Sequence, residues 1–169
     1  MKPVTTGAHV LTMDSASSDL MAVGTRTDPE NPPDVAAVIL PVFHPGGLLF
    51  LGDGHALMAD GEPTGTGVET SMDVEFSVEV RKNAQVNGPR VETDDYLISI
   101  GSQPEFASSL DRALQMATTD MVRWLVNDYK LEPWAAHQLV GAVGKYEYDV
   151  VTVAGSMALK VPKKYLAAK

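Results

Sequence analysis

Leu110-Asp111-Arg112-Ala113-Leu114-Gln115-Met116-Ala117-Thr118-Thr119-Asp120-Met121-Val122-Arg123-Trp124-Leu125 is the stretch at which the period of the chain changes. Leu110, Leu114, Ala117, Met121, Trp124 and Leu125 fall three and four residues apart, the spacing of one helical face. Ser108 or Ser109 supplies an N-cap, and the pattern carries the helix to about Tyr129. Glu132-Pro133 opens a second helix, because proline is tolerated in the first turn, where its missing N–H has no intrahelical partner to lose. Trp134, Ala135, Leu139 and Val143 would form its apolar face, with Gly144 at its end. Two closing strands follow, Tyr148 to Val153 and Met157 to Val161, joined by a turn at Ala154-Gly155-Ser156.

Upstream of about residue 104 the signal is that of short strands. Val35 to Phe43 is a β-branched run that reads as fully buried. His44-Pro45-Gly46-Gly47 turns the chain, and Leu48-Leu49-Phe50-Leu51 follows as a second run. Met72 to Val80 alternates apolar and polar, as a strand with one wet face should. Asn83 to Pro89 is a turn, and strand character resumes between Arg90 and Ile100. Residues 13–34 are small and polar at both ends, with Pro29, Pro32 and Pro33 in the second, and read as loops. Strands, then helices, then strands indicate an α+β fold, not alternating βαβ units. The reading divides the chain into a β-rich lobe, 1–104, and an α+β lobe, 105–169.

The composition narrows the functions available. Thirteen Lys and Arg stand against 22 Asp and Glu in 169 residues, a formal net charge of −9. Nucleic acid is therefore not the expected partner, since phosphate binding needs clustered cations. Lys160, Lys163, Lys164 and Lys169 are the one local basic group and read as a solvated end. There is no cysteine, which removes disulfides, thiolate metal ligands and a thiol nucleophile together. No run approaches the ~20 apolar residues of a membrane helix. Met1-Lys2-Pro3-Val4-Thr5-Thr6 lacks the apolar core of a signal peptide, so the expected location is cytoplasmic.

The densest polar set is Gly52-Asp53-Gly54-His55-Ala56-Leu57-Met58-Ala59-Asp60-Gly61-Glu62, continued by Gly65, Gly67 and Glu69. In an extended chain Asp53 and His55 share one face, and so do Asp60 and Glu62. Two readings compete. Asp-Gly and Gly-Glu pairs are ordinary turn chemistry. One imidazole with several carboxylates is also a ligand set for zinc or a harder divalent ion. The spacing is neither that of an EF-hand nor that of a phosphate loop. Ser15, Ser17 and Ser18 sit in a small-residue loop and read as turn chemistry. His44 reads as a turn residue near the same stretch, His137 as solvent-facing, and Trp124 and Trp134 as core.

Leu40-Pro41-Val42-Phe43-His44-Pro45-Gly46-Gly47-Leu48-Leu49-Phe50-Leu51-Gly52-Asp53-Gly54-His55-Ala56 resembles the acetamidase/formamidase family, and so does Asp60-Gly61-Glu62-Pro63-Thr64-Gly65-Thr66-Gly67-Val68-Glu69-Thr70. The family pattern is a Pro-Val-Phe strand, Gly-Asp-x-His-Ala, Gly-Asp-Gly-Glu, a small-residue step and a Glu. Asp111 to Tyr129 resembles the family's C-terminal helical part, and the likeness spans roughly residues 35–165. Ala59 stands where the pattern has glycine. Family members are about twice as long, and their upstream half contributes to a β-sandwich and to the active site through a Gly-Gly-Asn-x-Asp stretch that this chain lacks.

The resemblance implies a β-sandwich-like N-terminal part followed by two helices and a closing hairpin. It also implies metal-assisted hydrolysis of short-chain amides of the formamide or acetamide type. Asp53 and His55 would then be metal ligands with Glu69 a third. Glu62 would be the general base, with Asp60 orienting it or completing the metal shell. Zinc is the first choice of ion, calcium or another divalent ion the alternative. A chain of this length would work as a homo-oligomer or with a complementary chain. The alternative is a half-length module that assembles or binds a small ligand without catalysis.

Overall fold

The computed structural model describes residues 12–13, 19–26, 36–52, 55–56, 61–71, 75–84, 86–102, 109–151 and 154–166. Its main element is one eight-stranded sheet. In chain order the strands are β1 (Thr12–Met13), β2 (Asp19–Arg26), β3 (Ala36–Val42), β4 (Gly47–Leu48), β5 (Gly61–Glu62), β6 (Glu75–Arg81), β7 (Arg90–Glu92), β8 (Tyr96–Gly101), β9 (Lys145–Val151) and β10 (Ala154–Pro162). The sheet order is β5-β9-β10-β8-β7-β3-β2-β6, and β1 with β4 forms a separate two-stranded ribbon. Neighbours are antiparallel throughout except β5 and β9, which run parallel.

The fold is α+β, as the change of period indicates; the described residues form one large sheet with the small β1–β4 ribbon, and the sandwich that the resemblance implies is not seen among them. Strands from both sides of residue 104 lie in that sheet, with β8 hydrogen-bonded to β10 from Met157↔Gly101 to Pro162↔Tyr96. Asp19–Arg26, expected in a loop, is a strand between β3 and β6. The polar flanks that suggested a loop lie outside it. The closing hairpin is longer than expected: Ala154 already pairs with Val151 and Ser156 with Asp149, so residues 154–156 belong to β10 and not to a turn.

Two helices cover one face of the sheet: α1 (Leu110–Tyr129) and α2 (Pro133–Val143). Ser109 caps α1, its side chain accepting from the Arg112 N–H at 3.4 Å. Lys130 ends it in the left-handed conformation, φ 58°. The buried stripe of α1 is Ala113, Ala117, Asp120, Met121, Trp124 and Leu125, whereas Leu110 and Leu114 are exposed. Close approach explains the exchange. A Cβ on Gly101 would lie 1.8 Å from the Ala113 carbonyl oxygen, so helix backbone rests almost on strand backbone and only alanine fits between them. The Ser99 hydroxyl donates to the Ala117 carbonyl at 2.7 Å across the same contact.

On α2 the buried residues are Ala136 and Val140, one turn apart, with Ala135, Leu139 and Val143 half-buried beside them. Trp134, expected in the core, is 70% exposed. It lies two residues before Ala136, about 200° round the helix. Along β3 the side chains alternate by period two. Ile39 enters the helix-side core, while Val38, Leu40 and Val42 join Leu49, Phe76 and Val78 in a second, smaller cluster. The run Val35–Phe43 is thus only partly buried: Ile39 and Val42 are inside and Phe43 is exposed.

Candidate metal centre

The segment after β4 carries His55 into an isolated antiparallel bridge with Glu69. The Ala56 N–H donates to the Val68 carbonyl at 2.9 Å and fixes that pairing. Between them, Glu62 sits on β5, in parallel register with Val151 of β9. A turn follows in which the Gly65 N–H donates to the Glu62 carbonyl at 2.9 Å, and Gly65 adopts φ 79°. That left-handed conformation is one that glycine alone takes without cost. The turn sends residues 66–69 back alongside 55–56.

Three side chains separated in sequence consequently meet. His55 Nε2 lies 2.7 Å from Glu62 Oε1 and 3.2 Å from Glu69 Oε1. The candidate donor atoms of the three residues all lie within 4.8 Å of one another. The imidazole and the Glu62 carboxylate are sheltered, with side-chain exposures of 7% and 14%, while Glu69 at 66% opens the cluster to solvent. Two carboxylates about one imidazole leave the cluster net negative even with the ring protonated. Shelter from water strengthens the pull of the carboxylates on a metal cation. One nitrogen and two carboxylate oxygens are a donor set that zinc and harder divalent ions accept. The residues therefore fit a metal.

Of the five site residues expected from the sequence, the structure brings together His55, Glu62 and Glu69. Asp53 and Asp60 lie outside the described residues. The sequence pattern did not reveal that Glu62 approaches His55 as closely as any ligand partner. That proximity depends on the parallel β5–β9 pairing with a strand some ninety residues downstream. His44 is exposed in its turn and His137 is exposed on α2, as their contexts suggested.

A cleft of about 1020 Å³ opens elsewhere, bordered by Glu92, Tyr96, Tyr129, Lys145, Lys163 and Tyr165. It contains none of the three converging side chains. Lys145 is five residues along β9 from Val150, the partner of Gly61, which is roughly 17 Å at ~3.4 Å per residue. Size alone does not make it the reactive site. No helix among the described residues is long and apolar enough to cross a membrane.

The comparisons agree on one relationship. The model of the Acetamidase/Formamidase family matches residues 6–161. Among solved structures, an acetamidase from Yersinia enterocolitica is 28% identical, with TM-score 0.68 over 90% of this chain and 51% of its own. A predicted acetamidase/formamidase from the thermophile Thermoanaerobacter tengcongensis is 27% identical, with TM-score 0.68 over 88% and 55%. An acetamidase from Bacillus halodurans is 27% identical, with TM-score 0.66 over the same shares. The chain spans about half the length of these structures. Against curated proteins it finds no match. The ordered motifs, the α+β fold and a family match over nearly the whole chain converge: this chain belongs to the acetamidase/formamidase family.

Proposed function

We propose that the protein hydrolyses short-chain amides of the formamide and acetamide class to carboxylate and ammonia, at a divalent metal held by His55, Glu62 and Glu69. The observation that carries this reading is the convergence of those three donors, two of them sheltered, in a member of an amidase family. Glu62, taken from the sequence pattern as the base, is drawn into the donor set by its 2.7 Å approach to Nε2. Asp60 then takes the proton-transfer role, and Asp53 completes the shell. Zinc is the ion we favour, for its readiness to accept imidazole with carboxylates. A metal in this set supplies polarisation of the amide carbonyl and a more acidic water.

The chain's own groups do the rest. Asp60 removes a proton as water adds to the carbonyl carbon, and returns it to the nitrogen as the C–N bond breaks. This leaves carboxylic acid and ammonia, and the acid's remaining proton passes to ammonia to give carboxylate and ammonium. Glu69, on the open side, fixes the mouth through which a small neutral amide arrives. We place the protein in the cytosol, working as a homo-oligomer.

Elemental analysis of purified protein, paired with ammonia release from formamide and acetamide, tests the reading. About one metal per chain is expected, with turnover falling on the order of 10²-fold or more in His55→Ala and in Asp60→Asn. Glu62→Gln separates its two roles. Loss of metal together with turnover makes it a ligand; loss of turnover with metal retained makes it the base. Turnover unchanged in His55→Ala and Glu62→Gln would end the proposal.

A further inference from the structure

We propose that Gly67 is a positioning residue of the metal centre: its lack of a side chain lets the His55 ring and the Glu62 carboxylate pack against its backbone with their donor atoms together, and a Cβ there drives them apart. The inference rests on the metal-site reading above. A Cβ built on Gly67 would lie 2.4 Å from His55 Cδ2, 2.7 Å from His55 Nε2 and 2.6 Å from Glu62 Oε1. Real Cβ atoms essentially never come within 3.0 Å of such neighbours. Two of the three contacted atoms are the candidate donors themselves. The bare backbone of Gly67 thus borders the same small volume that Nε2 and Oε1 border.

The atoms a Cβ would meet are side-chain ends that can move, but any movement displaces the donors. The imidazole is sheltered, faces two carboxylates, and its backbone is tied to the segment 68–69 by the His55↔Glu69 bridge and the Ala56–Val68 hydrogen bond. A methyl group at 67 must therefore turn the ring away from Glu62, or push residues 67–69 outward and carry Glu69 with them. Either movement separates the donors. Backbone conformation is not the issue. Gly46 and Gly65 are the described glycines with positive φ, so alanine at 67 meets no backbone strain, only the donors. Gly52 supplies the contrast, since a Cβ there would meet nothing within 4 Å.

The test is zinc titration by calorimetry into chelator-stripped wild type, Gly67→Ala and Gly52→Ala, with the imidazole resonances of the four histidines followed by NMR without metal. Gly67→Ala should weaken zinc binding by about 10–100-fold, the usual effect of disturbing the support of a ligand. Gly52→Ala should bind as wild type does. In the metal-free protein only the His55 resonances should move in Gly67→Ala, with His9, His44 and His137 unchanged. Unaltered zinc affinity in Gly67→Ala, unmoved His55 resonances, or displacement of all four histidines would each overturn the role given to Gly67. Wild type that binds no zinc would instead overturn the metal-site reading, and the His55 resonances would still judge Gly67 separately.

Discussion

At the scale of single residues, Tyr129 shows how a group remote from the chemistry can still set the conditions under which the protein stands. It closes α1 and borders the large cleft. Burial, with the charges of Glu92 and Asp128 behind it, pushes its phenol up to about 12 from an ordinary value near 10. The unfolded chain therefore releases this proton first as pH rises. The folded state keeps its advantage below pH ~10 and loses it progressively between pH ~10 and ~12. Tyr129→Phe cannot ionise and lacks that part of the loss. Urea midpoints measured from pH 9 to 12 should show the variant gaining on wild type across that window. A constant difference between the two would remove the assignment. Residue-scale chemistry of this kind was hidden in the sequence, because Asp128 adjoins Tyr129 but Glu92 reaches it only through the fold. The same holds for the metal cluster. His55 and Glu69 were legible as candidates from residue type and motif order, while the approach of Glu62 required the β5–β9 pairing.

At the scale of elements, the boundary of each helix could be read and the face it buries only in part: Ala117, Met121, Trp124 and Leu125 are buried as their spacing indicates, while Leu110, Leu114 and Trp134 are exposed. Ser109 and Pro133 mark helix starts by local chemistry that needs no tertiary context. The buried face depends on how near the neighbouring strand comes. The approach of Gly101 to Ala113 turned Leu110 and Leu114 outward in favour of alanines. Strand β2 was missed for a related reason: a strand hydrogen-bonded on both sides is defined by its neighbours, β3 and β6, more than by its own composition. The element contact with the largest single consequence is one the sequence did not announce. Arg90 of β7 reaches Asp120 of α1 through two bonds, Nε to Oδ2 at 2.7 Å and a terminal nitrogen to Oδ1 at 3.0 Å. Both side chains are buried, and the guanidinium lies 4.7 Å from the centre of the Trp124 ring. Asp120→Ala leaves that guanidinium buried without its partner and should cost about 3–5 kcal/mol of stability in urea denaturation. Arg90→Met/Asp120→Leu removes both charges and should recover most of that loss. A cost under ~1 kcal/mol for the single variant would show that water replaces the carboxylate, and that the pair does not hold helix to sheet.

At the scale of the whole molecule, the two faces of the sheet are unequally covered. α1 and α2 shelter one, where the main core includes Leu97, Met121, Trp124, Leu125, Leu159 and Val161. On the other, Val42 and Leu49 are the buried residues of a small cluster. Just beyond it Phe43, Leu48, Phe50 and Leu51 are exposed, Phe50 by 76%. Val68, whose carbonyl holds the His55 segment, is exposed as well. These exposed apolar side chains are the physical basis for expecting self-association. Charge works against it. A net charge of −9 on each copy repels a second, so association should tighten as salt screens the repulsion, while apolar contact persists. Light scattering coupled to size exclusion at low and at 0.5 M salt (~4–5 Å screening length) should find a dimer or larger species that is more populated at high salt. Phe50→Glu, which places a charge where the exposed ring stands, should shift the protein to monomer without lowering its unfolding midpoint, because the ring it replaces is already in water. A wild type that remains monomeric in both buffers would remove self-association from the proposal and leave the three-residue metal cluster to be judged on a single chain.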